Sequence, residues 1–205
     1  MAENRTEMEA GIELFRQFVF DNRLTKEEKE KITEEAILLG RKRAKEIGNE
    51  FGGKGPEEIL ARMGVRIIRE QDGKKINSDY VKFAEFYAKS GEIHLNEDVV
   101  RELDKKMKPG LAKDIILCHE LYHCLEISRW GKTADLFVRT VKLFGWIPAK
   151  RRMLPAAEIA ADSFTKAYLK LDFNPREIES YYFESGKSLC LHVHDSAVSN
   201  KDLCR

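Results

Sequence analysis

The sequence has almost no net charge, few cysteines and no long apolar run. Lys and Arg number 36 against 35 Asp and Glu, a formal net charge of +1. So even a balance removes bulk electrostatics as a reason to expect nucleic-acid or membrane partners. No stretch approaches the roughly 18 apolar residues of a membrane-spanning helix. Met1 to Glu9 are polar and acidic, without the basic start and apolar core of a secretory signal. The expectation is a soluble, cytoplasmic protein with no membrane contact and no direct nucleic-acid contact. The four cysteines, Cys118, Cys124, Cys190 and Cys204, form no C-x-x-C pair, which argues against a structural zinc knuckle. Cys118 and Cys124 read as buried free thiols.

What is present suits one domain with appendages: 205 residues, 42% of them apolar. Met8 to Phe20 carries apolar residues at helical spacing. Thr25 followed by Glu28 is a capping-box start for a second helix, which stops at Gly52-Gly53. Its Arg41-Lys42-Arg43 run reads as a solvated face. Pro56 opens a short helix, and the mostly β-branched run Val65 to Ile68 reads as a strand. Tyr80 to Tyr87 and Glu92 to Leu95, parted by Lys89-Ser90-Gly91, form a hairpin signal. Helices are then expected over Glu97 to Met107, Leu111 to Arg129, Thr133 to Leu143 and Pro155 to Leu171. Asn174-Pro175 breaks the pattern, a short helix follows from Arg176, and Ser188 to His194 reads as a strand. The order gives an α+β fold, a small antiparallel or mixed sheet packed on helices.

One segment carries chemistry. Within Ile115 to Leu125 stands His119-Glu120-Leu121-Tyr122-His123, an H-E-x-x-H motif. Residues i and i+4 of a helix share a face, with Cβ atoms about 5–6 Å apart. Two imidazoles so placed can converge on one ion, while Glu120 reaches a water rather than the ion. The apolar run ahead of the motif implies a buried helix, where unpaired polar groups are costly and a metal would satisfy them. A third ligand is available downstream: Glu158 and Asp162 are also four apart, among small apolar neighbours. Glu158 is expected to complete the metal set with His119 and His123. Asp162 is expected to accept a hydrogen bond from the free ring nitrogen of a ligand histidine. Two imidazoles and one carboxylate favour Zn2+, one per chain, over manganese or iron. Glu120 is then expected to act as general base on water attacking a peptide carbonyl.

These motifs resemble the ImmA/IrrE family of zinc-dependent peptidases. The family pattern is an apolar run into H-E-L-x-H, then E-x-x-A-[ND]-x-F on a later helix. Here the second element reads Glu158-Ile159-Ala160-Ala161-Asp162-Ser163-Phe164. Ile59 to Val65 is similar to the family's helix-Gly-strand entry, and Phe83 to Asn96 to its hairpin. The similarity spans roughly residues 55 to 175, leaving residues 1–54 as an N-terminal helical extension and 176–205 as a tail. It implies a zincin-like core with the metal between the two motif helices. It also implies regulated cleavage of a helix-turn-helix repressor. The chain departs from the pattern at Tyr122, where the family usually has Gly, and in a long, aromatic-rich interval between His123 and Glu158 that reads as an extra helix.

Lesser candidates stay open. His94, Tyr80, Tyr87 and Tyr122 compete as transition-state or substrate contacts. His94 also reads as an ordinary strand histidine. Cys190, His192 and His194 would share one strand face, either a second metal site or an exposed surface. A non-catalytic, metal-stabilised protein-binding or sensor module of the same fold is the alternative to the peptidase. A helical DNA-binding regulator ranks low, since no helix-turn-helix signature or basic stripe supports it.

Overall fold

The computed structural model describes residues 6–71, 81–143 and 146–183. Helix α1 (Glu7–Leu14) and helix α2 (Lys26–Phe51) each begin with a reciprocal capping box. In the second, the Thr25 hydroxyl accepts from the Glu28 amide at 3.2 Å, and the Glu28 carboxylate accepts from the Thr25 amide at 2.8 Å. Gly52, with φ 61°, closes α2 in the left-handed conformation that a glycine adopts without strain. The apolar run to Phe20 is shorter as an α-helix than its periodicity predicts. After Leu14 it tightens into 3₁₀ turns at Phe15–Gln17 and Asp21–Arg23.

Helix α3 (Pro56–Arg62) leads into strand β1 (Arg66–Glu70), followed by β2 (Ala84–Tyr87) and β3 (Glu92–Asn96). The sheet order is β1-β3-β2, with β3 parallel to β1 and antiparallel to β2, so the expected hairpin is present in a mixed sheet. The alternation of β3 buries Ile93 and Leu95 in the core and leaves Glu92 and His94 on the other face. Asn96 ends β3 and caps helix α4 (Glu97–Asp104), its side-chain oxygen accepting from the Asp98 and Val99 amides. Helix α5 (Leu111–Leu125) is the central element, packed on α3, on β2 and on helix α7 (Pro155–Leu169).

Between α5 and α7 the structure corrects the sequence reading. A π-helical turn (Glu126–Trp130) extends α5 and a single helical turn, α6 (Thr133–Leu136), follows. Residues 138–143 are not helical: β4 (Val138–Leu143) pairs antiparallel with β5 (Ile147–Arg152). Ala134, Phe137, Val138 and Val141 do recur at helical spacing, but Val138, Thr140 and Val141 are β-branched and a partner strand lies within reach. The interval is therefore a two-stranded ribbon, and the extra helix is absent.

The long α2 lies against α7, making the N-terminal helices part of the core. The fit depends on small residues. A Cβ at Gly40 would sit 2.3 Å from the Ala160 carbonyl oxygen, so only glycine lets the backbones approach this closely. Ser163 seals the same contact, its hydroxyl within reach of the Ile37 carbonyl at 3.0 Å and of Glu7 at 2.9 Å and donating to one of the two. Finally, helix α8 (Glu177–Phe183) packs against α4. The Asn174-Pro175 break is its start. The Asn174 side chain accepts from the Arg176 amide at 3.0 Å, and Glu177 returns a bond to the Asn174 amide at 3.3 Å. Ser188 to His194 lies outside the described residues.

Candidate metal centre

Helices α5 and α7 cross so that their four-residue spacings face each other. Nε2 of His119 lies 3.2 Å from Nε2 of His123 and 3.3 Å from a Glu158 carboxylate oxygen. The other Glu158 oxygen is 3.6 Å from Nε2 of His123. One ligand atom from each residue falls within 4.8 Å of the others, and the three could hold a metal ion.

The far side of each imidazole is occupied by a carboxylate. His119 Nδ1 is 3.0 Å from Asp162 Oδ1, as its spacing predicts. His123 Nδ1 is 2.7 Å from Glu126 Oε2, a contact the sequence reading missed. An ionised carboxylate only accepts, so each Nδ1 carries the proton and each Nε2 presents a lone pair. With both imidazoles neutral, two lone pairs and a carboxylate point into one small space, a donor set that could hold a cation.

Both carboxylates are themselves held. The second oxygen of Asp162 accepts from Arg176 Nε at 2.9 Å, and the second oxygen of Glu126 accepts from the Thr133 amide at 2.6 Å. Arg176 also lies 3.8 Å from Glu158 and 3.2 Å from Glu179. It comes from the turn that leads into α8, beyond the break at Asn174-Pro175, which is why the motif helices gave no hint of it. Glu126 did have a signal, standing three residues after His123 on the same helical face.

The charges agree with this geometry. Burial alone would lower both histidine pKa values. Asp162 and Glu158 beside His119, and Glu126 and Glu158 beside His123, reverse this and raise both above the ordinary range. Burial would raise the carboxyl pKa values, yet the imidazoles and Arg176 hold Glu158 well down and Asp162 below its usual value. His123 does the same for Glu126. Without a metal, the two imidazoles and Arg176 thus balance the ionised carboxylates, and a bound divalent ion would take over the charge of the imidazole protons it displaces.

Glu120 is buried, 5% exposed, on α5. Its carboxylate has no hydrogen-bond or ion-pair partner among the described residues. It lies roughly 60° around the helix from His123. With no protein partner, that carboxylate is left available to solvent or to a bound water.

The remaining candidates sit elsewhere. Tyr122 is fully buried, stacked near Trp130 and Phe164, with its hydroxyl 2.7 Å from that of Thr133. Its burial closes the hydroxyl off from the expected substrate contact, and its bulk fills core. His94 and Tyr87 pack together on the sheet face opposite Ile93 and Leu95, their ring centroids 4.6 Å apart. His94 Nδ1 is 2.6 Å from Glu70. The Tyr87 hydroxyl donates to Glu85, which pushes its pKa up to about 12. Neither touches the metal-ligand cluster. Tyr80, Cys190, His192 and His194 lie outside the described residues.

Comparison of the chain with known protein families, with curated proteins and with solved structures finds no match. The reading of the site therefore rests on its own geometry.

Proposed function

We propose that this chain is a zinc-dependent endopeptidase of the ImmA/IrrE kind. Its substrate on this reading is a regulatory protein such as a helix-turn-helix repressor. The observation that carries the reading is the convergence of His119, His123 and Glu158 on one point, with Glu120 on the same helix as the two histidines. Four ligands held tetrahedrally at zinc distances of 2.0–2.1 Å stand about 3.3 Å from one another. Here the two imidazole nitrogens are 3.2 Å apart, and the two Glu158 oxygens lie 3.3 Å from one and 3.6 Å from the other, close to that spacing. Three protein ligands leave one position for water, the pattern of a catalytic rather than a structural site.

When bound, the zinc ion supplies a Lewis acid that lowers the pKa of its water to near ~7 and polarises the scissile carbonyl. The chain supplies the rest. Asp162 and Glu126 fix the imidazole tautomers and increase their basicity. Glu120 takes the proton from the attacking water and passes it to the leaving amine. Strand β2 is an edge of its sheet and packs on α5. An extended substrate segment adding to that edge would run alongside the helix that carries Glu120.

The test pairs wild type with Glu120→Gln. Bound zinc is measured in both, and each is incubated with a repressor encoded beside this chain. Equal metal content with cleavage by wild type alone supports the peptidase. Equal effects of the two proteins on the repressor, without cleavage, would establish the metal-stabilised binding module instead.

A further inference from the structure

The β4–β5 hairpin stands apart from the metal centre. Its register sets Val138 opposite Arg152, Thr140 opposite Lys150 and Lys142 opposite Pro148. Opposed residues share a face, and all six of these are exposed. The alternate positions turn inward: Val141 is buried, and the Arg151 guanidinium lies 5.5 Å from the centre of the Phe20 ring. The outward face therefore presents Lys142, Lys150 and Arg152 and no acid. Arg152 is paired with Asp135 on α6, whereas Lys142 and Lys150 have no acidic partner among the described residues. Residues 138–152 hold Arg139, Lys142, Lys150, Arg151 and Arg152 without one Asp or Glu, a local charge that the net +1 of the chain conceals.

At the end of the ribbon, Trp146 is 77% exposed and Ile147 is 39% exposed. The other tryptophan, Trp130, is packed against Tyr122 and Phe164 with Arg43 over its ring. An indole in water costs hydrophobic free energy, and here nothing within the described chain relieves it.

Three kinds of partner suit a basic, aromatic-tipped ribbon, and the geometry separates them. Single-stranded nucleic acid is gripped by rings interleaved with cations on a sheet face, but among the described residues the ring on this side, Trp146, stands at the end and not between the cations. A stable protein complex buries about 800 Å² per partner. A two-stranded ribbon of six-residue strands offers a face of only roughly 200 Å². A lipid surface fits both features. Strand rise puts Lys142 and Lys150 roughly 7 and 14 Å behind Trp146. The headgroup layer is about 5–8 Å deep. Lysine side chains extend along such a surface toward phosphate, and indole rings favour the interface. We propose that the tip and outward face of this hairpin dock reversibly on an anionic lipid surface. In that pose Trp146 enters the headgroup layer, and Lys142 and the extended Lys150 side chain meet lipid phosphates. This inference does not depend on the peptidase reading.

The experiment uses the full chain. Co-sedimentation of wild type is measured with vesicles of phosphatidylglycerol and phosphatidylcholine in equal parts, and with phosphatidylcholine alone. Tryptophan emission is followed in a Trp130→Phe background, where Trp146 is the sole reporter. The expected result is binding to the anionic vesicles only, a blue shift of the emission, and loss of both in about 0.5 M salt. Each cation near the surface is worth about fivefold in partition, so Lys142→Gln with Lys150→Gln lowers it about 25-fold. Trp146→Ala removes most of the remaining affinity. All these positions except Trp130 are exposed, and unchanged circular dichroism confirms folding. The proposal is overturned by equal binding to both vesicle types, by unshifted emission, or by a double variant that binds like wild type. It is also overturned if an oligonucleotide or polyglutamate binds more tightly than the anionic vesicles and displaces them.

Discussion

Asp162 and Glu126 act alike on two different histidines, and each is pinned through its second oxygen. Removing either frees an imidazole to rotate and to change tautomer. Asp162→Ala and Glu126→Gln are each expected to weaken zinc binding by about 10–100-fold, measured by competition with a chelating dye. Arg176→Gln should weaken it in the same direction, because Asp162 loses its 2.9 Å partner and Glu158 its nearby charge. A variant that binds zinc as tightly as wild type would place its residue outside the support of the site. Glu120→Gln should behave differently, keeping the metal while the cleavage rate falls by about 10²–10⁴-fold, read in single-turnover kinetics. At this scale the sequence was informative where spacing is helical. His119, His123, Glu158 and Asp162 all follow from i, i+4 geometry. Arg176 does not, because it reaches the site from α8, by a contact between elements that no local periodicity encodes.

The elements are positioned by two close approaches. At Gly40 the backbones of α2 and α7 touch, and α7 carries both Glu158 and Asp162. Gly40→Val should push α7 away and cost about 1–3 kcal/mol of stability, measured by urea unfolding. Zinc affinity should fall with it, whereas Gly48→Ala on the same helix, with open space around its Cα, should be neutral or stabilising. Loss of metal affinity in the second variant but not in the first would contradict this account of α7. Helix-start signals made the helices easy to read: Thr25 with Glu28, Pro56 and Pro155 all stand where the elements begin. The region 133–143 was unreadable for a physical reason. Its apolar residues satisfy both periods at once, and the choice is made by β5, whose side chains pair with it only in the folded chain.

For the whole molecule, the metal centre sets how stability varies with pH. In the metal-free protein the folded-state pKa values of His119 and His123 are raised above the unfolded value of about 6.5. Their contribution is full below that value and is lost as pH rises through the folded pKa values. Glu158, Asp162 and Glu126 have depressed pKa values, so their contribution is present above about 4 and is lost as pH falls through the folded ones. Zinc requires unprotonated imidazoles, so its stabilisation grows with pH over the range in which the metal-free protein weakens. Thermal melts with zinc and with chelator should therefore diverge between about pH 6 and pH 8. A gap that narrows with rising pH would contradict the histidine ligation. At 100 times its dissociation constant, free zinc should add about 2.7 kcal/mol.

The hold of Arg176 on Asp162 has a consequence for synthesis. The imidazoles, the ligating carboxylate and the guanidinium that steadies its neighbour leave the ribosome in that order. Helix α8 must emerge and dock before the histidine set is locked. A nascent chain halted before residue 176 would carry His119, His123 and Glu158 yet leave Asp162 without its guanidinium, so the candidate metal centre would be steadied last, after the helices that frame it are already built.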